Sequence, residues 1–237
     1  MRKLLVVLLV FASIPAISQT KKEKINLADR AADHFMLQLS LDNWTGSPDS
    51  IDSRIKGLSR GANIYLMLDR PFKGNQKMSI GIGIGVGTSH IFFNKMLVDI
   101  GSTNPVLPFR SADTASYYKK YKLATSFLEV PLELRFSSNP ETPNKSIKAA
   151  IGIKGGVMVN AHTKGKILKN SANNVINNFT QKTLSKSYFN TTRLAATARV
   201  GYGIFSLFGA YNLTSIFKDG VAEDMKLLQI GLTVSGL

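Results

Sequence analysis

The sequence predicts an all-β fold: an eight-stranded antiparallel transmembrane β-barrel with long extracellular loops and short periplasmic turns. Three observations predict it. The chain opens on an export leader, the remainder falls into short segments that alternate apolar and polar residues, and the connections between those segments are by turns long and short.

The leader reads Met1-Arg2-Lys3, then an apolar run from Leu4 to Ile14, then Ala16-Ile17-Ser18 before the polar Gln19-Thr20-Lys21-Lys22. A basic start, a short apolar middle and small residues at the cleavage site are the three parts of a secretory signal peptide. The apolar run is well short of the ~20 residues that a spanning helix needs. Residues 1–18 are therefore expected to be cleaved, 19–33 to form a periplasmic N-terminal segment and 34–237 to form the barrel domain, in an outer membrane.

Composition narrows the class further. Apolar and aromatic residues make up 44% of the chain and the mean hydropathy is +0.02, yet beyond the leader no apolar stretch is long enough to span as a helix. The apolar residues must be dispersed in short pieces. There is no cysteine, so the fold is held without disulfides in a compartment that would permit them. The same absence removes a lipid-anchored leader end, thiolate metal sites and cysteine nucleophiles. The formal charge of +15 suits nucleic acid or a phosphate-bearing membrane surface, and the leader selects the membrane. No cofactor, metal or nucleic acid is expected.

The first strand is expected over Phe35 to Trp44, with Phe35, Leu37, Leu39 and Leu41 on one face and Gln38, Ser40 and Asp42 on the other. This is the period of two that marks a half-buried strand. The second, about Leu58 to Asp69, sets Ala62, Ile64, Leu66 and Leu68 against Asn63, Tyr65, Met67 and Asp69, and a turn through Arg70-Pro71-Phe72-Lys73-Gly74-Asn75 follows. In the third, Ile80 to Gly87, one face is branched aliphatic and the other is all glycine. The fourth, Phe127 to Phe136, opposes Leu128, Val130, Leu132, Leu134 and Phe136 to Glu129, Pro131, Glu133 and Arg135. The fifth, near Ile147 to Val159, sets Ile147, Ala149, Ile151 and Ile153 against Lys148, Gly152 and Lys154. The sixth, Thr192 to Gly201, sets Leu194, Ala196, Ala198 and Val200 against Arg193, Thr197 and Arg199. The seventh spans about Ile204 to Leu213, and the eighth, Lys226 to Val234, opposes Leu228, Ile230, Leu232 and Val234 to Gln229, Gly231 and Thr233.

Alternation alone fits a soluble barrel as well, with the aliphatic face inward. Loop lengths decide against that reading. Connections near 45–57, 88–121, 160–190 and 214–225 are long, whereas those at 71–77, 137–145 and 201–203 are short, as in outer-membrane barrels with external loops and tight periplasmic turns. The polar faces agree: an eight-stranded barrel has an interior only wide enough for side chains to fill, so glycines at 81, 83, 85 and 87 make room and opposite charges can pair. The expected lumen charge network is Asp69, Glu129, Glu133, Arg135, Lys148, Lys154, Arg193 and Arg199.

At these residues the chain resembles the PorT-like outer-membrane β-barrel family of Bacteroidetes. The resemblance rests on Leu39-Ser40-Leu41-Asp42-Asn43-Trp44, Tyr65-Leu66-Met67-Leu68-Asp69-Arg70-Pro71-Phe72, the Gly81 to Gly87 strand, Phe127-Leu128-Glu129-Val130-Pro131-Leu132-Glu133-Leu134 and the closing Gln229-Ile230-Gly231-Leu232. It covers most of the mature chain. It implies an eight-stranded outer-membrane barrel from a family whose namesake is an accessory component of the type IX protein secretion system, and it carries no catalytic motif.

Residues that could carry chemistry are few. His34 is expected at the periplasmic edge, and His90 and His162 near the outer rim in different loops. A rim histidine with a serine and a carboxylate would form a hydrolase triad, and Ser89, Ser111, Asp99 and Asp113 share the second long loop, but no nucleophile elbow supports one. Glu129 and Glu133 stand four residues, about 13 Å, apart along a strand, too far for paired acid and base on one bond. The Gly81 to Gly87 run matches Gly-x-Gly-x-x-Gly only through its alternation, outside any βαβ unit. The third long loop carries Lys164, Lys166, Lys169, Lys182 and Lys186, and the second Arg110, Lys119, Lys120 and Lys122 beside Tyr117, Tyr118 and Tyr121. Such residues suit contact with lipid phosphates or an envelope partner, with the tyrosines at the membrane interface.

The sequence thus points to a non-enzymatic barrel with a structural or accessory role in the cell envelope. Outer-membrane lipid and lipopolysaccharide, and envelope proteins, are the expected partners. A narrow channel and an outer-membrane enzyme with a rim active site are the alternatives.

Overall fold

A computed structural model describes residues 35–112 and 116–235; the leader, the 19–33 segment, His34 and Asp113 lie outside them. The elements in chain order are β1 (Phe35–Thr45), a short helix α1 (Asp49–Asp52), β2 (Arg60–Phe72), β3 (Asn75–Phe93), β4 (Met96–Val98), β5 (Phe109–Ser111), β6 (Tyr117–Ser137), β7 (Ile147–Lys169), β8 (Val175–Leu184), β9 (Thr192–Tyr202), β10 (Phe205–Asn212) and β11 (Lys226–Ser235).

Eight of these, β1, β2, β3, β6, β7, β9, β10 and β11, form one closed antiparallel barrel. Each pairs with the next, and β1 pairs back onto β11 from Met36↔Ser235 to Thr45↔Lys226. Closure satisfies the backbone of every stave without a free edge, which a strand surrounded by hydrocarbon requires. All eight expected strands are present.

The aliphatic faces point outward. Leu39, Leu66, Leu132, Ile151, Leu207 and Ile230 are exposed on the outer wall, while Gln38, Asn63, Glu129, Lys154, Arg193 and Gln229 are buried inside. On β6 the exposed apolar band runs from Leu128 to Phe136. The eight rises between these nine residues, at a tilt near 40°, span about 21 Å of height, close to the ~25 Å apolar band of such barrels. Exposed aromatics Phe72, Phe136, Tyr202 and Phe205 gather at the end of the short turns, where an interfacial girdle belongs.

The glycine face of β3 lies under the largest lumen side chains. A Cβ at Gly81 would meet the Arg135 guanidinium, at Gly83 the Met67 sulfur, at Gly85 the Tyr65 ring and β2 backbone, and at Gly87 the Glu129 carboxylate and Arg193. The four residues thus make the floor on which those side chains rest.

The long connections differ from the expected loops. β3 continues to Phe93, β6 starts at Tyr117 and β7 runs to Lys169, so much of 88–121 and 160–190 is paired strand standing above the apolar band. β8 pairs with β7 there, from His162↔Leu184 to Lys169↔Val175. The strands persist because each finds a partner to continue its ladder. At Ser126/Phe127 the β6–β7 register jumps from Asn160 to Met158, leaving Val159 as the extra residue of a bulge. Below it the even residues of β7 face the lumen, and above it the odd ones do, Ala161 and Thr163 being buried.

α1, the β4–β5 hairpin and the segments 186–191 and 213–225 fold over the mouth. Their residues join those of the upper strands in an apolar cluster around Trp44, Phe93, Ile100, Phe189, Phe217 and Met225. Trp44 meets Phe93 and Phe217 edge-on, each with ring centroids 5.6 Å apart.

The orientation of the wall makes a direct expectation. Leu132→Arg, in the middle of the outer apolar band, should lower stability by about 2–4 kcal/mol, whereas Leu58→Arg, exposed beyond the band between α1 and β2, should change it little. Urea titration of the barrel folded in lipid vesicles measures both.

Candidate functional site

Two regions of the molecule concentrate charge: the lumen and the outward face of the extracellular sheet. The lumen comes first, because its walls fix it. Period-two alternation on β6 sends Glu129, Glu133 and Arg135 inward, and the same alternation on β7 and β9 sends Lys148, Lys154, Arg193 and Arg199 to meet them.

Glu129 is fully buried and is the centre of the upper group. Arg193 donates from Nε to Glu129 Oε1 at 2.5 Å and pairs through Nη2 as well. Tyr65 donates its hydroxyl to Oε2 at 2.5 Å, and Lys154 Nζ lies 3.7 Å from the same oxygen. Lys154 also donates to Gln229 Oε1 at 3.1 Å, and Gln229 Nε2 donates to the Asp42 carboxylate at 3.2 Å. Glu133 anchors a second group nearer the short turns: Arg135 Nε donates to it at 2.9 Å and Arg199 Nη2 at 3.2 Å. Arg135 reaches on to Asp69 at 3.6 Å, which accepts from Ser79 Oγ at 2.7 Å. Lys148 is buried at the same end, between its backbone partners Ser137 and Gly201.

The structure therefore gathers the sequence-predicted lumen residues inside the barrel and adds three: Tyr65, Asp42 and Gln229. Their inward facing was legible from alternation, but which of them touch depends on stagger around the barrel, which a linear pattern does not contain. Above this layer the Arg193 guanidinium sits 4.1 Å from the centroid of the Phe127 ring, joining the charges to the apolar cap. Paired charges of this kind offset desolvation only as a set, and removing one partner of a buried pair costs about 3–5 kcal/mol.

The cap departs from the expected external loops: these segments fold inward over the mouth. Its signal was present in the adjacent apolar residues Phe92-Phe93, Met96-Leu97-Val98 and Tyr188-Phe189, which are unusual in solvated loops. Two expectations change with it. Tyr118 and Tyr121 do not sit at the lipid interface: they stack on each other at 5.9 Å facing the β4–β5 hairpin, and Tyr121 donates to the Val98 carbonyl at 2.8 Å. With Asp99, Arg110, Gln181 and Thr183 they line a cavity of about 210 Å³ beneath the hairpin. Nor do His90 and His162 lie in separate loops: both pair across Ala124, on β3 and β7 respectively.

Among the described residues His90, His162, Ser89 and Asp99 do not come together as a triad. His90 and His162 face outward, Ser89 is buried on the opposite face of β3, and Asp99 pairs with Arg110 at 3.5 Å. Among the described residues no group of histidines and carboxylates could hold a metal ion.

On the outward face the cross-strand register places Lys122 opposite Lys164, and Lys164 opposite Lys182. Lys120 and Lys166 pair in the next row out. Arg60 stands opposite His90 one row inward, and Arg60 and Lys122 both lie over the Phe92 ring, at 5.5 and 5.8 Å. Lys119 is exposed on β6, Lys169 donates to Asn173 Oδ1 at 2.8 Å and Lys186 to the Val159 carbonyl at 3.4 Å, so these three stand apart from the row. His90 lies above the last aliphatic row of β3, outside the membrane-spanning part. Burial first, then the nearby Lys122, His162 and Arg60 charges, hold its imidazole down at about 4.

Two expectations follow from these geometries. Glu129→Gln removes the carboxylate that Arg193 and Lys154 share and should cost about 3–5 kcal/mol in urea unfolding from vesicles, while exchange of all three for apolar residues should recover much of it. In an NMR titration His90 should protonate near pH 4, and Lys122→Gln should move that midpoint upward. Because protonation is easier in the unfolded chain, the His90 contribution to stability is present above its ordinary pKa near 6.5 and is lost as the pH falls through about 4.

No curated protein matches the chain in a sequence search. The family model described as the outer membrane protein beta-barrel domain matches residues 31–218, most of the closed barrel and its extracellular sheet, and the chain belongs to that family.

Proposed function

We propose that the protein is a non-enzymatic outer-membrane barrel whose role is structural or accessory: a closed stave assembly that carries a stiff extracellular sheet to lipid or to envelope partners. The observation that carries this reading is the doubly filled interior. A charge-paired layer centred on Glu129 and Glu133 occupies the lumen, and the Trp44–Phe93–Phe217 cluster closes the mouth above it. Such an interior favours support over bulk passage, and a narrow channel would need both layers to part. The rim histidines face a cationic surface, away from Ser89 and from the Asp99–Arg110 pair, which weighs against a rim enzyme.

The resemblance to the PorT-like barrels supports a finer proposal, that the partners belong to the type IX protein secretion machinery. The extended β3–β6–β7–β8 sheet supports it as well, because it is a rigid surface large enough for another envelope protein.

Planar-bilayer recording of the purified barrel should give no steady large conductance, and a steady large conductance overturns the closed-lumen reading. Purification from native membranes should recover a stable complex with secretion components. A barrel recovered alone overturns the accessory role.

A further inference from the structure

The outward rows of cations carry a second inference. Across four neighbouring strands the register aligns Phe92, Lys122, Lys164 and Lys182 side by side, with Arg60, His90 and His162 in the row beneath. Adjacent strands are about 4.8 Å apart, so three lysines stand directly opposite one another, an arrangement that like-charge repulsion makes unfavourable in a sheet. Burial first, and then neighbouring basic side chains, push the pKa of His90, Lys122 and His162 down. Ala124, buried between the two imidazoles, contributes no polar group. A fold that holds these residues in one plane is built to receive an anion.

Position identifies the anion's source. The His90 row lies four residues, about 13 Å along the strand, beyond the last aliphatic pair Val86↔Leu128, and the lysine row lies six residues, about 20 Å, beyond it. Lysine stems can bend back toward the hydrocarbon boundary while their ammonium groups stay in the polar layer. Phe92 gives the row an apolar ring on which Arg60 and Lys122 both rest. A dianionic phosphate bridges two ammonium groups at this spacing, and a lipid-borne one is delivered to the row by the membrane itself.

We propose that Lys122, Lys164 and Lys182, with Arg60, His90 and His162, form a binding site on the outer wall of the barrel for the phosphate groups of outer-leaflet lipids. The proposal deepens the envelope-support reading by naming the lipid chemistry it engages. It is tested separately, since a barrel that ignores phosphate could still be closed and accessory.

The full-length barrel is reconstituted in zwitterionic nanodiscs doped with either phosphorylated lipid A or the same lipid stripped of its phosphates, and retained lipid is read by native mass spectrometry after transfer to detergent. Wild-type protein should retain the phosphorylated form about tenfold or more over the stripped one, since each of the three lysines near a membrane surface contributes about a fivefold attraction. The K122Q/K164Q/K182Q variant should lose that preference and the K122R/K164R/K182R variant should keep it, both migrating as folded barrels on heat-modifiable gels. Equal retention of the two lipids by the wild type overturns the site, whatever the variants do. Persistence of the preference in the glutamine variant overturns the assignment to these lysines. Displacement of the lipid by inorganic phosphate at equal phosphate concentration overturns the membrane source.

Discussion

Every other feature of this molecule depends on the β1–β11 ladder that closes the sheet. In hydrocarbon an unpaired backbone amide or carbonyl costs several kcal/mol, so a row of them along a free edge is not tolerable. Closing eight staves fixes the diameter, and the diameter leaves an interior with room for side chains and little else. The glycine face of β3 answers that limit, since Arg135, Met67, Tyr65 and Glu129 lie where its Cβ atoms would be. The ion pairs answer the next: charges in so narrow a space must meet opposite charges, and Glu129 and Glu133 each serve more than one cation.

The molecule has two cores of opposite character stacked along one axis. The lower is polar and ionic inside an apolar wall, the inverse of a soluble protein. The upper is apolar inside a polar wall, and its aromatic packing around Trp44 and Phe217 is that of an ordinary water-soluble domain. The change of solvent outside, from lipid to water, accounts for the change of filling inside. Strands such as β3 and β6 pass through both regimes unbroken, so the cap is held on continuations of the staves themselves.

The barrel was legible because its staves repeat a simple period. Leu128, Val130, Leu132 and Leu134 against Glu129, Glu133 and Arg135 gives the facing of β6 directly, and the short turns after Phe72 and Tyr202 give orientation. What was not legible lies where that period carries no information. Lys122, Lys164 and Lys182 are far apart in sequence and become neighbours only through register, and Tyr121 turns inward because a hairpin beyond β3 supplies Val98 to receive its hydroxyl. The upper strands look like loops in the sequence because their outward residues are polar, and a sheet standing in water shows less contrast than one standing in lipid.

The bulge at Val159 has a consequence beyond local geometry. One unpaired residue shifts the phase of β7, so that the strand is read in two frames: even positions belong to the interior before it and to the exterior after it. Lys154 and Lys164 have the same parity, yet one is an internal counter-ion and the other meets the environment. Were the strand regular through Val159, with no bulge to absorb it, His162 and Lys164 would point into the apolar cap and Ala161 and Thr163 would face out. A single unpaired amino acid therefore gives the two halves of one strand opposite rules for which positions may carry charge.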